Sequence, residues 1–220
     1  MSVPLTLERI GILGAGRVGT AVARQALKAG YQVKIATAKP VEEIELIVDI
    51  VTPGAQAVEA AEAGRQDLVV LAVPLYKYRT VDPAVLAGTT VIDVMNYWAP
   101  IDGEIPDFEH DTLTTSEIIQ RYLSDSKVVK TLNHIGYHEL EEDDLPAGAD
   151  DRRALAVASD HQDAKAVVMP FIDRLGYDPI DAGPLAAGRA FQPGTDIFNG
   201  AHTAGQLNEL LATALRATHV

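Results

Sequence analysis

Short apolar runs alternate with segments of helical composition along the first half of the chain. The runs are rich in Val, Ile and Leu, as in strands buried on both faces, and the segments between them are rich in Ala and Glu. Strands are predicted at Arg9–Leu13, Tyr31–Ala36, Ala55–Val58, Leu68–Val73 and within TTVIDVMN, residues 89–96. Helices are predicted at Arg17–Ala29, from Pro40 to about Val51, at Ala60–Gly64 and around Asp82–Leu86. This spacing is typical of parallel βαβ units, so we predict an α/β fold with a doubly wound parallel sheet.

The second half continues this alternation less regularly. Its predicted strands are KVVKTL (127–132), ALAVAS (154–159) and DPIDAG (178–183). Its predicted helices are SEIIQRYL (116–123) capped by Ser116, HQDAKAVVMPFIDRLG (161–176) and a long one from about Gly194 to Ala217. The acidic segment between Glu139 and Asp151 is predicted to be a solvated loop or short helix, because a run of carboxylates usually lies in water. We predict a main domain over residues 1–125 and a smaller C-terminal α/β segment over residues 126–220, with a soft boundary that allows a single domain.

The link between the first strand and the first helix matches the pattern G-x-G-x-x-G without substitution. In this pattern Gly14 permits the tight turn, Gly16 lets the backbone approach a pyrophosphate, and Gly19 lets helix and strand pack closely. The N–H groups at the start of the helix then face the diphosphate, and the helix dipole favours its negative charge. A glycine loop between a strand and an Ala-rich helix predicts a dinucleotide site. The predicted contacts are Gly14, Ala15, Gly16, Arg17, Val18 and Gly19.

The end of the second predicted strand indicates which dinucleotide is bound. NAD-selective folds have an Asp or Glu here that hydrogen-bonds the ribose 2′-hydroxyl, whereas this chain reads Ala36-Thr37-Ala38-Lys39. A carboxylate would repel the additional phosphate of NADP, while Thr37 can donate a hydrogen bond to it and Lys39 supplies a positive charge. We therefore predict NADP(H) rather than NAD(H). Arg17 either adds a second positive contact or points to solvent.

Composition excludes several classes of function. The formal net charge is −13 over 220 residues, which argues against nucleic acid as a partner because its phosphates would be repelled. There is no cysteine, so disulfides, thiolate metal sites and thiol catalysis are excluded. The beginning of the chain does not resemble a secretory signal, and no apolar run approaches the length that spans a bilayer. We expect a cytoplasmic protein without membrane or nucleic-acid partners.

Common catalytic patterns are missing from the sequence. His134 and His138 are four residues apart, but Gly136 between them argues against helical metal ligands, so no metal is predicted. The chain also lacks the Tyr-x-x-x-Lys pair with which some reductases protonate a carbonyl substrate. A flavin or deazaflavin is electron-poor and needs little from a protein beyond alignment of two rings. This leaves hydride transfer between two cofactors, or binding without chemistry.

Four segments together resemble one family. GILGAGRVG, VVLAVP (69–74), KVVKTLNHI (127–135) and DAGPLAAGR (181–189) are similar to the NADPH-dependent F420 reductases, also called F420:NADP oxidoreductases. The resemblance extends from about Ile10 to about Arg189 and implies a Rossmann-type fold. It implies that Thr37 and Lys39 occupy the positions of a Ser and an Arg that bind the 2′-phosphate. It further implies a set of residues beside the nicotinamide ribose: Val73, Pro74, Leu75 and Asn96.

The resemblance also implies an acceptor pocket, but the chain departs from the family there. The pocket residues implied are Asn133, His134, Ile135, Pro184 and Leu185. Deazaflavin-binding members have His at position 133 and Pro at position 136, where this chain has Asn and Gly. His134 could line the pocket or lie at the surface, and Trp98 could border the nicotinamide or anchor a subunit interface. A homodimer is plausible by resemblance.

The resulting hypothesis is an NADP(H)-dependent oxidoreductase that passes hydride to or from a deazaflavin (coenzyme F420) or flavin-type acceptor. Two alternatives stay open at this point. One is a reductase of a small imine, quinone or carbonyl that takes its proton from water or from His134. The other is an NADP-binding sensor without turnover.

Overall fold

A computed structural model describes residues 7–109 and 112–217 of the chain. Eight strands form one sheet in the order β3-β2-β1-β4-β5-β6-β7-β8. The strands are β1 (Arg9–Leu13), β2 (Gln32–Ala36), β3 (Gln56–Ala57), β4 (Leu68–Leu71), β5 (Thr90–Asp93), β6 (Lys127–Lys130), β7 (Ala154–Ala158) and β8 (Asp178–Gly183). The first six are parallel, β7 is antiparallel to β6, and β8 is parallel to β7. The predicted Rossmann-type α/β fold is confirmed.

Helices connect the strands and cover both faces of the sheet. They are α1 (Arg17–Lys28), α2 (Val41–Val51), α3 (Ala60–Ala63), α4 (Pro83–Leu86), α5 (Ala99–Asp102), α6 (Thr115–Tyr122), α7 (Glu139–Glu142), α8 (Gln162–Arg174) and α9 (Ala204–Ala217). Among the described residues, three 3₁₀ helices span Leu75–Thr80, Pro106–Phe108 and Leu185–Phe191. None of the helices within the described ranges is long and apolar enough to cross a membrane.

Alternate strand residues enter different parts of the core, as the pleat requires. In β4, Leu68 and Val70 pack in one apolar cluster with α1 and α8, whereas Val69 and Leu71 pack in another with α6. All four side chains are buried. A third cluster joins β7, β8 and α9. This burial on both faces explains why the strands read as continuous apolar runs.

The sheet continues from the first half of the chain into the second. β5 and β6 pair in register from Thr90 with Lys127 to Asp93 with Lys130. β6 therefore places the segment that follows it beside the carboxyl end of β5. The division at residue 125 stays a prediction.

Helix α6 begins differently from the prediction that Ser116 caps it. Thr114 is the N-cap: its hydroxyl accepts a hydrogen bond from the Glu117 N–H at 3.2 Å, and the Glu117 carboxylate accepts one from the Thr114 N–H at 2.7 Å. This Thr-x-x-Glu arrangement is a capping box. Ser116 is instead buried inside the first turn, and its hydroxyl donates to Asp93.

Two further expectations for the second half are wrong in part. The C-terminal helix begins at Ala204, not near Gly194, because residues 194–203 form turns and a bridge between Thr203 and Arg153. The acidic segment contains the short helix α7, but it is more than a wet surface, since four of its carboxylates hold neighbouring elements. The pairs are Arg24 with Glu141 (2.5 Å), Lys28 with Asp144 (2.6 Å), and Arg153 with Glu139 and Asp143 (2.8 Å each).

Candidate dinucleotide and acceptor site

The glycine loop lies where the strand order reverses, between β1 and β4, which is where doubly wound sheets bind their ligands. Gly14 has φ +119°, and its N–H donates to the carbonyl of Ala36 at 2.8 Å. A Cβ on Gly19 would lie 1.9 Å from the carbonyl oxygen of Gly14, so a larger residue cannot pack there. A Cβ on Gly16, by contrast, would meet no atom within 4 Å. The backbone thus requires two of the glycines, and the third leaves open space over the loop.

The start of α1 is free to bind an anion. Gly16 is the N-cap and supplies no side-chain hydrogen bond, and the first turn contains no acidic residue. The partial positive charge of the helix end is therefore not neutralised locally. Arg17 and Val18, both exposed, flank this space. The Arg17 guanidinium lies 5.7 Å from the ring centre of Tyr137, and its Nη1 is 3.4 Å from the Tyr137 hydroxyl.

The end of β2 combines a positive and a negative group. The Thr37 hydroxyl accepts a hydrogen bond from the Lys39 N–H at 3.0 Å, which fixes a tight turn at this corner. The Lys39 ammonium lies 3.5 Å from Glu43, one turn into α2, and both side chains are more than half exposed. Sequence reasoning missed Glu43 as a competitor for Lys39, although the i, i+4 spacing is a known signal for such pairs.

Beyond β5 and β6, two amides hold each other at the carboxyl edge of the sheet. Asn96 Nδ2 donates to the Asn133 carbonyl at 2.7 Å, and Asn133 Nδ2 donates to Asn96 Oδ1 at 3.0 Å. Asn133 Nδ2 also donates to the carbonyl of Phe191 at 2.9 Å. Leu132, just before Asn133, has φ +61°, a left-handed conformation that costs a bulky residue about 1–2 kcal/mol. This turn of the backbone is therefore held by its surroundings.

His134 lies inside the protein rather than at its surface. Its side chain packs on Phe191, with ring centres 4.9 Å apart. Nε2 lies 3.0 Å from the Ala156 N–H and must accept from it, so Nε2 carries no proton. Nδ1 lies 3.2 Å from Asn133 Oδ1 and donates to it. Burial, with the nearby charge of Arg153, lowers the pKa of His134 to about 3, so the ring is neutral and both nitrogens are occupied.

A buried ionic cluster supports the same edge of the sheet, and sequence reasoning did not anticipate it. The Lys130 ammonium lies 3.4 Å from Asp93 and donates to the Met95 carbonyl, and the Ser116 hydroxyl donates to Asp93 at 2.7 Å. Burial lowers the pKa of Lys130, opposed by the carboxylate of Asp93. The available signal was a charged residue at the carboxyl end of each of two neighbouring strands, at paired positions.

The remaining predicted site residues divide by exposure. Leu75 and Leu185 are buried, whereas Pro74 and Pro184 are exposed. Val73 and Ile135 are half-buried. Trp98 is exposed at the start of α5, beyond Asn96. The exposed and half-buried residues are available to a ligand, whereas Leu185 can only support the surface above it.

No cluster of three potential metal ligands occurs in residues 7–109 and 112–217. His134 and His138 differ in burial, because His138 is exposed beside Tyr137.

Comparison with known proteins places this geometry among nicotinamide-linked enzymes. Residues 9–97 match the model of a family described as NADP oxidoreductase, coenzyme F420-dependent. The resemblance predicted from the sequence is confirmed over these residues, and the chain is an NADP-linked oxidoreductase. No curated protein matches the chain.

Solved structures share the fold over most of the chain. The hypothetical protein SMa0349 from Sinorhizobium meliloti is 27% identical with a TM-score of 0.76, covering 90% of this chain and 96% of that one. A protein from Arthrobacter sp. FB24, named as a candidate F420-dependent NADP reductase, is 24% identical with a TM-score of 0.69, covering 96% and 93%. An imine reductase from Pseudomonas sp. is 18% identical with a TM-score of 0.55, covering 96% of this chain and 63% of its own length.

Proposed function

We propose that this protein binds NADPH in the crevice between β1 and β4 and passes hydride between it and a deazaflavin (coenzyme F420) or flavin-type acceptor. The dinucleotide supplies the hydride chemistry, and the chain supplies orientation. The match of residues 9–97 to the F420-dependent family supports this proposal, because it covers the glycine loop, the end of β2 and Asn96.

The residues at the glycine loop fit a diphosphate. The space over Gly16 would be filled by any side chain, and the uncapped N-terminus of α1 favours a negative group in it. Arg17 lies at the same end of the helix and would add a positive charge. Val73 and Pro74, at the end of β4, would contact the nicotinamide ribose from the other side of the switch point, and Leu75 would support them from within.

Selectivity for NADPH would arise at the end of β2. The Thr37 hydroxyl accepts from the backbone but keeps its own hydrogen, and Lys39 carries the charge that a 2′-phosphate requires. Glu43 partly offsets this charge from 3.5 Å away. Two variants test this assignment: Lys39→Ala removes the positive charge, and Glu43→Gln removes the negative charge that offsets it.

These two variants should act in opposite directions. Loss of Lys39 should weaken NADPH binding by about tenfold, the value of one charge-assisted hydrogen bond. Glu43→Gln should strengthen it by about two- to fivefold, because an exposed pair contributes less than about 1 kcal/mol. Titration by nicotinamide fluorescence measures both, and NADH serves as the control because it lacks the phosphate. Equal effects on NADPH and NADH would refute the assignment of the phosphate site to this corner.

The observation that carries the acceptor class is the engagement of both nitrogens of His134. With Nε2 accepting from Ala156 and Nδ1 donating to Asn133, the imidazole has no free nitrogen for proton transfer. The neighbouring Asn96 and Asn133 are neutral amides. This edge of the sheet favours an acceptor that takes a hydride without a side-chain acid, as a flavin or deazaflavin does. The alternative in which His134 protonates a carbonyl or imine loses its support.

The test is reduction of F420 and of FMN under saturating NADPH, followed by loss of the oxidised absorbance. We expect turnover in wild type and its retention in His134→Gln, which can replace both hydrogen bonds of the imidazole. A fall of about 100-fold or more in this variant would instead assign the proton donor to His134. If the protein binds NADPH but reduces no flavin, deazaflavin, quinone or imine, the remaining hypothesis is an NADP-binding sensor without turnover.

Location and assembly complete the proposal. We place the enzyme in the cytoplasm, without nucleic-acid partners, and expect a homodimer. Size-exclusion chromatography with light scattering measures the assembly directly, and a monomer at micromolar concentration would exclude the dimer.

A further inference from the structure

A small cavity opens beside the paired amides of the acceptor site. Its volume is about 140 Å³. Its lining includes Tyr97, Phe108, Leu113, Thr115, Arg189 and Gln192. Tyr97 follows Asn96 in the chain and Gln192 follows Phe191, whose carbonyl binds Asn133. The cavity therefore lies one residue along the chain from two of the groups that form the proposed acceptor site.

The guanidinium of Arg189 has no partner in this cavity. No hydrogen bond or ion pair engages it within residues 7–109 and 112–217, although it is half-buried. The two acids that follow Pro106 are already engaged: Asp107 accepts from Tyr78 and Arg79, and Glu109 accepts from the Tyr97 hydroxyl at 2.8 Å. A half-buried arginine with five donors and no acceptor carries an unmet demand for an anion.

Other groups around the cavity are also donors. Thr115 is the first residue of α6, and neither its N–H nor its hydroxyl has a partner among the described residues. The side-chain amide of Gln192 is likewise without one. Unpaired donors beside a guanidinium in one small cavity favour an anion.

The size of the cavity limits what enters it. Sites for drug-sized ligands are usually about 300–1,000 Å³, so this one is too small for a tricyclic ring system. It holds the volume of roughly four or five waters, which suits a phosphate or carboxylate group. The group must be attached to a ligand whose ring lies outside the cavity.

We infer that Arg189 binds a phosphate or carboxylate carried by the acceptor, so that the enzyme takes anionic acceptors. This inference rests on the proposed function, since it specifies the substrate class of the same site. Thr115 and Gln192 donate further hydrogen bonds to the anion, and Tyr97 forms the wall between anion and ring. Arg189 contacts the acceptor away from the reacting atoms and sets specificity.

The experiment compares acceptors that differ only in the anion. The first pair is FMN and riboflavin, which lacks the phosphate. The second pair is F420 and its precursor, which has the same ring system but lacks the phosphodiester and the glutamates. Values of kcat/KM are measured under saturating NADPH for wild type, Arg189→Met, Arg189→Lys and Arg65→Met. Arg65 is an exposed arginine on the far side of the molecule, after α3, and serves as the matched control.

We expect wild type and Arg65→Met to prefer the anionic member of each pair by about tenfold or more, the value of one charge-assisted hydrogen bond. Arg189→Met should abolish that preference without changing the rate with riboflavin or the Kd for NADPH, and Arg189→Lys should keep part of it. The FMN pair and the F420 pair distinguish a phosphate monoester from the phosphodiester tail. A preference that survives Arg189→Met, or is absent from wild type, overturns the inference while the proposed function stands.

If the proposed function is wrong, the experiment gives a result that differs from failure of the anion site alone. If wild type reduces none of the four acceptors, their binding to the NADP⁺-loaded protein is measured by quenching of flavin fluorescence. Tighter binding of FMN than of riboflavin, lost in Arg189→Met, supports the anion site without the reaction. Equal binding of the two flavins overturns the inference as well.

Discussion

Because His134 is buried and neutral, the free energy of unfolding should decrease as the pH falls, by an amount that follows from its pKa. Its pKa is about 3 in the folded protein, against 6.5 for an unperturbed histidine. Below pH 6.5 the unfolded chain therefore takes up a proton that the folded protein does not, so the free energy of unfolding falls as pH falls. Between pH 7.5 and pH 5.0 the loss is about 2 kcal/mol, obtained as RT ln(1 + 10^(6.5 − pH)) at the lower pH. The result is insensitive to the folded pKa as long as that pKa stays below about 4.

Urea denaturation at the two pH values isolates this contribution. His134→Gln cannot titrate, yet its amide can accept from the Ala156 N–H and donate to Asn133, so the variant should lose about 2 kcal/mol less than wild type on acidification. His138→Gln is the control, because it removes an exposed imidazole and leaves the buried one in place. The same decrease in wild type and His134→Gln would show that His134 is solvated or charged in the folded protein, and the reasoning on its protonation would fail.

Other predictions concern the glycine loop and the ionic cluster. Gly19→Ala should destabilise the fold by more than about 3 kcal/mol in urea, because its Cβ would lie 1.9 Å from a backbone oxygen. Gly16→Ala enters open space, so it should keep stability within about 0.5 kcal/mol yet weaken NADPH binding by about tenfold or more in a fluorescence titration. Lys130→Met should cost about 3–5 kcal/mol by leaving Asp93 buried without its cation, and adding Asp93→Asn should recover part of that loss; an additive double-mutant cycle would contradict the pairing.

The sheet and the glycine loop were predictable from the sequence because their signals are local. A strand, three glycines at fixed spacing and an Ala-rich helix define the loop within about twenty residues, and apolar runs mark the strands. The errors came where two local signals competed or where partners were distant. Ser116 and Thr114 are both good N-caps, and only Glu117 three residues after Thr114 decides between them. The C-terminal helix was predicted too far upstream, although residues 194–203 contain two glycines, one alanine and no leucine.

The acceptor half depends instead on contacts between residues far apart in the chain. Asn133 binds Asn96, 37 positions away, and Phe191, 58 positions away. His134 is fixed by Ala156, 22 positions away in another strand. A sequence pattern cannot show whether a histidine after a strand faces solvent or the interior, so pocket wall and surface remained equal alternatives. The structure shows that the histidine is buried and that both of its ring nitrogens are engaged.

The glycine loop and the acceptor edge are formed by different parts of the chain, backbone in the first and mainly side chains in the second. The loop over Gly16 is formed by backbone geometry, which tolerates almost no substitution at Gly14 or Gly19. The acceptor edge is formed by Asn96 and Asn133, which follow β5 and β6, and by the last residue of the 3₁₀ helix Leu185–Phe191. The two amides at this edge belong to side chains, so a substitution there leaves the backbone of the glycine loop as it is. At position 133, where the resemblance implies His, the Asn amide joins Asn96 to Phe191 and accepts from His134, three bonds that one imidazole, with two nitrogens, could not form together.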